Sequence, residues 1–318
     1  MKRHNHSIYW IFILANWLFL FHSLDAQELH KSDSITIAII SDTQSPMWFE
    51  SIVVSKNRNE EATSMLFHHI AQDTSVVALV HLGDVTECSS RDGAWKRIDT
   101  LLALLERRNV ALYGTMGNHD YMYSASAGEE NFKKRFPSFQ RKGFLVRIHS
   151  LAIVMLNSNF SNLADNEIKE QVAWYHQQLD QLEHDTTVSA VFVACHHPPF
   201  TNSTVVPPSK ECEEEFVPQF LFHKKCKIFF SGHSHAFEHF NIEGKNFLII
   251  GGGGGLQHSL LIGKEQRWND LFPLQTEKRM FHYLRVVVTR EKIECTVMMI
   301  KKDFSGIEPV YVMTLPLP

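Results

Sequence analysis

Short apolar runs recur along the chain, and five of them are followed at once by a cluster of polar residues. These runs occupy residues 35–40, 76–82, 110–115, 190–195 and 226–230. Continuous apolar runs of this length are typical of strands buried in a sheet. Between them, apolar residues at helical spacing predict helices over 59–73, 95–108 and 167–183. The alternation of strands and helices predicts an α/β fold.

The remaining apolar segments also predict strands. Residues 144–148 and 151–156 predict a β-hairpin, and the strand pattern continues over 247–250, 283–289, 293–300 and 310–315. Ligands of α/β sheets gather at the carboxyl ends of the strands, so the five polar clusters are the expected functional region.

The five polar clusters carry a set of side chains suited to metal binding. They contain two carboxylates, one amide and three imidazoles, with one further amide and one further carboxylate as alternatives: Asp42, Asp84, Asn118, His196, His233 and His235, then Gln44 and Glu87. Such oxygen and nitrogen donors suit Mn, Zn or Fe, and a carboxylate can bridge two ions about 3.5 Å apart. Two ions that share a water would lower its pKa and supply hydroxide for in-line attack on a phosphoryl group.

Two neighbours of the Asn118 position are candidate catalytic residues. His119 is a candidate to contact a phosphate oxygen or protonate the leaving group, and Asp120 is the candidate to orient it. His197, by contrast, is expected to be a neighbour of the ligands only, because alternate residues leaving a strand share a face. Taken singly, Asp42 or Asp84 would be an ordinary turn cap after a strand; only the combination favours a metal centre.

The N-terminus predicts export. Lys2 and Arg3 precede an apolar stretch over residues 8–21, and small residues close it before Gln27. This pattern indicates a signal peptide over 1–26 and one domain over 27–318, with a secreted or periplasmic location. An uncleaved N-terminal membrane anchor is the alternative, and no stable membrane span is otherwise expected.

Composition narrows the partners. A net charge of -4 without a basic run gives no reason to expect nucleic acid, and a small phosphorylated substrate fits better. The pattern does not indicate an oligomeric state. Five cysteines leave at least one thiol unpaired; Cys212 and Cys226 are candidates to pair, while Cys195 and Cys295 fit apolar strands.

The order of the motifs resembles the calcineurin-like metallophosphoesterase superfamily. The motifs are Asp42-x-Gln44, Gly83-Asp84, Gly117-Asn118-His119-Asp120, His196-x-Pro198 and Gly232-His233-x-His235. The QVAWY, HHPPFTNS and GHSHAFE stretches are similar to those of the purple acid phosphatase branch. The resemblance implies a four-layer α/β/β/α sandwich of two mixed sheets. It also implies that Asp84 bridges the two metals and that His119 contacts the phosphate. The first metal would be held by Asp42 and His235, and the second by Asn118, His196 and His233.

The chain departs from the family pattern at the first metal. Most members have Asp-x-His where this chain has Gln44, and purple acid phosphatases have a tyrosine where it has Glu87. Asp-x-Gln resembles the Mn-dependent ADP-ribose/CDP-alcohol diphosphatases, which favours Gln44 over Glu87 and a divalent ion over Fe(III). The predicted function is phosphomonoester hydrolysis. The alternatives are a nucleotide phosphodiesterase or diphosphatase, and a non-catalytic scaffold with this fold.

Two loops are predicted to lie near the site. The loop over 200–209 leaves a ligand-bearing strand and is expected to line the substrate cleft. The five glycines over 251–255 lack the context of a nucleotide-binding loop, so we expect them to allow close backbone approach near the metals.

Overall fold

Twelve strands and six α-helices make up the described part of this computed structural model, which covers residues 34–46 and 58–317. The strands are β1 (Ile35–Ile40), β2 (Val76–His81), β3 (Ala111–Gly114), β4 (Phe144–Ile148), β5 (Leu151–Met155), β6 (Ala190–Ala194), β7 (Cys226–Ser231), β8 (Phe237–Ile242), β9 (Lys245–Ile250), β10 (His282–Val288), β11 (Lys292–Ile300) and β12 (Ile307–Pro316). The helices are α1 (Asn59–Gln72), α2 (Asp92–Glu106), α3 (Ala125–Arg135), α4 (Asp165–His184), α5 (Lys210–Glu215) and α6 (Val217–Phe222). The predicted signal peptide over 1–26 lies outside the described residues.

The strands form two mixed sheets of six strands each. The first has the order β12-β11-β10-β1-β2-β3 and the second the order β4-β5-β6-β7-β9-β8. In the first sheet β1, β2 and β3 run parallel, and in the second β5, β6, β7 and β9 run parallel. Antiparallel strands complete the first sheet on the side of β10, β11 and β12, and β4 and β8 complete the second sheet at both edges. The strands that precede the polar clusters are therefore parallel to a neighbouring strand, and all except the edge strand β3 lie inside their sheet, as their continuous apolar sequences predicted.

Alternation along the strands of the second sheet builds the layers. On β7, Ile228 and Phe230 face the first sheet in one hydrophobic cluster, whereas Phe229 joins a second cluster with Phe216 and Phe220 from the α5–α6 region. Successive strand residues point to opposite faces, so one sheet can fill two interfaces. The predicted α/β/β/α sandwich is confirmed.

Helices α1 and α2 cover the outer face of the first sheet. Their buried residues, among them Phe67, Trp95 and Ile98, belong to the same cluster as the strands of that sheet. Trp95 is fully buried and its Nε1 donates a hydrogen bond to the Ser89 carbonyl at 2.9 Å, which satisfies its polar atom. Burial of such side chains contributes about 1.5–3 kcal/mol each. This packing fixes the loop that carries Asp84.

Helix α3 and strand β8 are among the elements that the apolar pattern did not predict. Helix α3 is mostly polar and buries little beyond Phe132, so its apolar stripe is too thin to show in the sequence. Strand β8 pairs with β9 through a tight turn at Glu243 and Gly244, and it follows the histidine pair directly. None of the helices in the described residues has the length and apolarity that a membrane span requires.

The cysteines are buried and unpaired. Cys212 and Cys226 do not form the disulfide considered above, and all five thiols are free. The core around them is formed by apolar packing, in which free cysteine behaves as a small apolar residue.

Candidate metal centre

The site lies where β1, β2 and β3 of the first sheet and β6 and β7 of the second sheet end. Backbone and side-chain hydrogen bonds join the loops of the two sheets. The His233 backbone N–H donates to Asp42 Oδ2 at 2.9 Å, and His196 Nδ1 lies 3.0 Å from the Leu82 carbonyl oxygen. Because a carbonyl only accepts, His196 Nδ1 carries the proton, and its Nε2 faces the site. The loops thus bring residues far apart in sequence to one place.

A first group of ligand atoms comes from Asp42, Asp84 and His235, which lie within 4.8 Å of one another. His235 Nε2 is 3.3 Å from Asp42 Oδ1. The Nδ1–H of His235 donates to the Leu256 carbonyl at 2.7 Å, which fixes the ring and turns Nε2 toward the carboxylates. Burial disfavours the charged imidazolium, but the hydrogen bond with Asp42 outweighs this and raises the pKa of His235.

A second group surrounds His196 Nε2. This atom lies 3.3 Å from Asp84 Oδ2, 3.2 Å from Asn118 Oδ1 and 3.2 Å from His233 Nδ1. Asp84 therefore touches both groups. The two groups each draw on both sheets, since Asp42, Asp84 and Asn118 follow strands of the first sheet and the histidines follow strands of the second.

The donor set in this region fits a bound cation. One imidazole nitrogen, His196 Nε2, faces three atoms that are acceptors or lone pairs, and it can offer at most one proton. Among the described residues, the buried atoms Asp84 Oδ2 and Gln44 Oε1 have no hydrogen-bond partner. Buried oxygens without a partner are costly, and bound metal ions would supply the missing partners. Carboxylate, amide and imidazole donors suit Mn, Zn or Fe.

Electrostatics lead to the same conclusion. Asp42 and Asp84 are fully buried, and among the described residues they form ion pairs with histidines only. Burial opposes a charge on His196, but the Asp84 carboxylate outweighs it and raises the pKa of His196 to about 9. The site therefore holds an excess of negative charge that either a proton or a metal ion can balance.

His197 belongs to the site, which the expectation from strand alternation missed. His196, His197 and His233 place one ligand atom each within 4.8 Å of the others. Strand β6 ends at Ala194, so the two-residue alternation no longer governs the direction of the side chains that follow. His197 Nδ1 contacts Ser158 Oγ at 2.9 Å, and burial lowers the pKa of His197 to about 3. The ring is thus neutral.

Strained backbone accompanies the candidate ligands. Four of them have positive φ angles: Asp42 at 58°, Asp84 at 53°, His233 at 67° and His235 at 44°. Non-glycine residues rarely adopt this left-handed conformation, and where they do the surrounding structure must hold them. The glycine run supplies part of that room, because a Cβ on Gly255 would lie 2.5 Å from the His235 ring. The predicted close approach of this run is confirmed.

His119 is placed by its backbone. Its N–H donates to Asp84 Oδ1 at 2.8 Å, whereas its ring Nδ1 is buried without a partner among the described residues. The prediction that Asp120 orients this ring is wrong. The Asp120 carboxylate instead accepts hydrogen bonds from the backbone N–H groups of Asp84 and Gly117 and from Ser89 Oγ. Asp120 therefore clamps two ligand loops together.

Burial changes the acidity of this clamp. Desolvation, and next the charge of Asp84, raise the pKa of Asp120 to about 6. The motif spacing placed Asp120 beside His119 in sequence, but the short 3₁₀ turn His119–Tyr121 directs the two side chains to different partners.

Gln44 and Glu87 differ in position. The Gln44 amide lies 3.1 Å from His235 Nε2, and a half-turn of the amide exchanges its nitrogen and oxygen. Gln44 can therefore offer an oxygen to the group of Asp42 and His235. Glu87 interacts instead with the charge of Arg97. The geometry favours Gln44 as the candidate ligand.

Glu238 is hydrogen-bonded to the loop that carries the histidine pair. Its buried carboxylate accepts hydrogen bonds from Thr201 Oγ1, the Asn202 backbone N–H and Ser234 Oγ. Ser234 is the residue between His233 and His235. Burial raises the pKa of Glu238 to about 7. The sequence placed Glu238 only in a motif, because two of its partners lie more than thirty residues away.

A cavity of about 270 Å³ adjoins the second ligand group. Asn118, His197 and His233 form one part of its lining. Pro207, Pro208 and Ser209 form another, so the end of the loop over 200–209 lines this cavity.

Several solved structures have this fold. GAP50, the anchor in the inner membrane complex of Plasmodium, is 14% identical with a TM-score of 0.69, over 90% of this chain and 89% of that one. A purple acid phosphatase from yellow lupin (Lupinus luteus) seeds is 14% identical with a TM-score of 0.67, over 89% of this chain and 54% of the lupin chain. A dimetal phosphatase from Danio rerio is 14% identical with a TM-score of 0.58, over 89% and 99%.

Sequence comparison gives the family. No curated protein sequence matches the chain significantly. A sequence model of the calcineurin-like phosphoesterases matches residues 35–237, more than half of the chain and all of the ligand motifs. The chain belongs to the calcineurin-like phosphoesterase family.

Proposed function

We propose that this phosphoesterase-family chain is a dinuclear metal-dependent hydrolase of small phosphate monoesters. The observation that carries the proposal is the position of Asp84. Its carboxylate lies in the group of Asp42 and His235 and also 3.3 Å from His196 in the second group. A carboxylate shared between two groups of ligand atoms is what a pair of ions bound side by side requires.

The candidate ligands form two sets, one for each ion. Asp42, Gln44, Asp84 and His235 would hold one ion, and Asn118, His196 and His233 would join Asp84 in holding the other. Bound there, Mn, Zn or Fe ions supply Lewis-acid polarisation and a water of lowered pKa. The ring Nδ1–H groups of His196 and His235 donate hydrogen bonds to backbone carbonyl oxygens, which keeps their site-facing Nε2 atoms free to bind.

His119 is the candidate acid in this proposal. Its backbone is anchored to Asp84, and its unpartnered ring nitrogen is available to a substrate oxygen. A positioned imidazole can donate a hydrogen bond to a phosphate oxygen or a proton to the departing alcohol. Asp120 contributes by holding the loops of Asp84 and Gly117 at a fixed distance.

Substrate comparison tests the proposal. Protein reconstituted with Mn, Zn or Fe is assayed with p-nitrophenyl phosphate, bis-p-nitrophenyl phosphate and ADP-ribose. We expect the monoester to have the highest kcat/KM. Hydrolysis of only the diester, or of only ADP-ribose, would replace this proposal with the phosphodiesterase or diphosphatase alternative that Gln44 suggests.

A scaffold is the alternative of another class. The likeness to GAP50, the anchor in the inner membrane complex of Plasmodium, motivates it. The intact ligand groups around Asp84 favour catalysis, because a scaffold has no need to retain buried unpartnered oxygens. Metal analysis separates the two: fewer than one ion per chain after reconstitution, with no hydrolysis, would favour the scaffold.

We also propose export, on the basis of the N-terminal pattern of Lys2, Arg3 and the apolar stretch over 8–21. Cell fractionation and N-terminal sequencing of the recovered protein test this. A first residue at Gln27 supports cleavage, whereas Met1 on membrane-bound protein supports the anchor.

A further inference from the structure

The cavity beside the second ligand group has an end that the proposed chemistry does not use. Asn118 and His233, at one part of the lining, are candidate metal ligands, so the phosphoryl group of a substrate belongs there. The lining continues to Phe160, Ser161 and Glu211, none of which is a candidate ligand. A volume of about 270 Å³ has room for a small alcohol group attached to the phosphate.

The charge of the lining is one-sided. Glu211 is a carboxylate, and no Lys or Arg of the described residues belongs to the lining. Two polar residues of the lining form hydrogen bonds within the protein. Ser158 Oγ accepts a hydrogen bond from the His197 backbone N–H at 2.9 Å, and Asn159 Nδ2 donates one to the Met116 carbonyl at 2.7 Å. These bonds make the wall a fixed polar surface.

Glu211 itself has little to neutralise it. Its Oε2 accepts one hydrogen bond from Ser209 Oγ at 3.3 Å, and its side chain is exposed. Among the described residues it forms no ion pair, although Lys210 precedes it on α5. A carboxylate at the mouth of a cavity attracts cationic groups and repels anionic ones. A second phosphate or a carboxylate on the substrate would meet this repulsion without a compensating base.

We infer that the cavity binds the alcohol part of the substrate, and that Glu211 selects alcohols carrying an ammonium group over neutral or anionic ones. This inference rests on the proposed phosphomonoesterase function and names its substrate class. Aminoalkyl phosphates, such as phosphocholine and phosphoethanolamine, have the required chemistry. Substrates with a second phosphate, ADP-ribose among them, are disfavoured by the same carboxylate.

The expected preference is modest because Glu211 is exposed. The attraction between opposite unit charges about 4 Å apart in a water-like dielectric corresponds to roughly a five-fold preference for a cationic substrate over a neutral one of the same shape. Salt at about 1 M shortens the screening distance to about 3 Å, so the preference should shrink toward one. A hydrophobic preference would instead persist in salt.

The test compares two substrates of the same shape. Phosphocholine and 3,3-dimethylbutyl phosphate differ by the charge of one quaternary centre. We expect the metal-loaded wild-type enzyme to show a kcat/KM ratio of about five in favour of phosphocholine, and Glu211→Gln to reduce this ratio toward one. Glu213→Gln is the matched control, because Glu213 lies on the same helix, is exposed and is not part of the lining. It should keep the ratio.

The outcomes separate this inference from the proposed function. The inference is overturned if the kcat/KM ratio of phosphocholine to 3,3-dimethylbutyl phosphate is near one in the wild type, or if Glu211→Gln has the same ratio as the wild type. Turnover of p-nitrophenyl phosphate in that case leaves the proposed function standing. Absence of all hydrolysis overturns the function. In that event calorimetric binding of the same two phosphates decides the inference: a preference for phosphocholine that needs Glu211 supports it, and equal affinities refute it.

Discussion

Gly117→Ala tests a close approach of the backbone to the Asp84 carboxylate in the metal centre. A Cβ at this position would lie 2.1 Å from Asp84 Oδ1 and 2.5 Å from the Asp84 backbone nitrogen. Cβ atoms in proteins essentially never approach other atoms closer than 3.0 Å. The Asp84 carboxylate, which belongs to both ligand groups, must therefore move by about 1 Å, and the hydrogen bond from the His119 N–H to Oδ1 must lengthen.

The size of the effect follows from this displacement. Overpacking of a dense region costs about 1–3 kcal/mol of folding free energy. A shift of about 1 Å in a reacting group lowers turnover by about 100-fold, and disturbed metal surroundings lower metal affinity by about 10–100-fold. We therefore expect a folded but weakened protein, with kcat/KM reduced by about 100-fold or more and metal affinity by at least about 10-fold.

Gly93→Ala is the matched control. Gly93 is the second residue of α2, and an added Cβ there would meet no side chain and no other element within 4 Å, so alanine should leave both folding and turnover intact. The assays are metal titration, p-nitrophenyl phosphate turnover and urea unfolding on both variants. Gly117→Ala with wild-type metal affinity and turnover would refute the close approach of Gly117 to Asp84.

Four further substitutions have defined outcomes. Asp84→Asn should abolish metal binding and turnover together. His119→Ala should keep the metal content and lower kcat by about 10² to 10⁴-fold. Loss of metal in His119→Ala would contradict the role of His119 as an acid. Glu238 has a pKa raised to about 7, so the folded state keeps a proton that the unfolded state releases above about pH 4.5. The protonated Glu238 side chain therefore stabilises the fold at low pH, and this stabilisation, about 3 kcal/mol at most, is lost as the pH rises through 7. Glu238→Gln should flatten the dependence of the unfolding free energy on pH between pH 4 and 8. An unchanged slope in this variant would contradict the role of Glu238. Arg279→Met removes one partner of a fully buried ion pair with Asp270 at 2.7 Å and should cost about 3–5 kcal/mol in urea unfolding, with partial recovery in the double variant that also carries Asp270→Leu.

The sequence was sufficient for the strands that carry the site. Strand β1 was predicted at its observed bounds, because a central parallel strand needs apolar residues on both faces and so gives an uninterrupted run. The chemistry at the strand ends was visible for the same reason, since each run stops abruptly at a polar cluster. Helix α3 was missed because its environment, rather than its own pattern, makes it fold there: the Phe132 ring packs edge-on against Trp95 of α2, with ring centroids 6.2 Å apart.

Roles that depend on direction or distant partners could not be predicted. His197 was set aside by a rule that holds only within a strand, and β6 ends three residues earlier. Asp120 was assigned to its sequence neighbour His119, whereas its partners are backbone amides of other loops. Glu238 joins Ser234 to a loop that leaves a different strand. These interactions exist only after the strands of each sheet have come together, because their partners lie on loops of neighbouring strands.

The division of each ligand group between two sheets has a thermodynamic consequence. An ion held by Asp42 and His235, or by Asn118 and His196, would act as a non-covalent cross-link between the halves of the sandwich. An ion that binds only the folded chain stabilises it by about 2.7 kcal/mol when its free concentration is about 100 times Kd. Metal supply would then govern how long the folded protein survives as well as how fast it turns over, and a chelator would act as a mild denaturant.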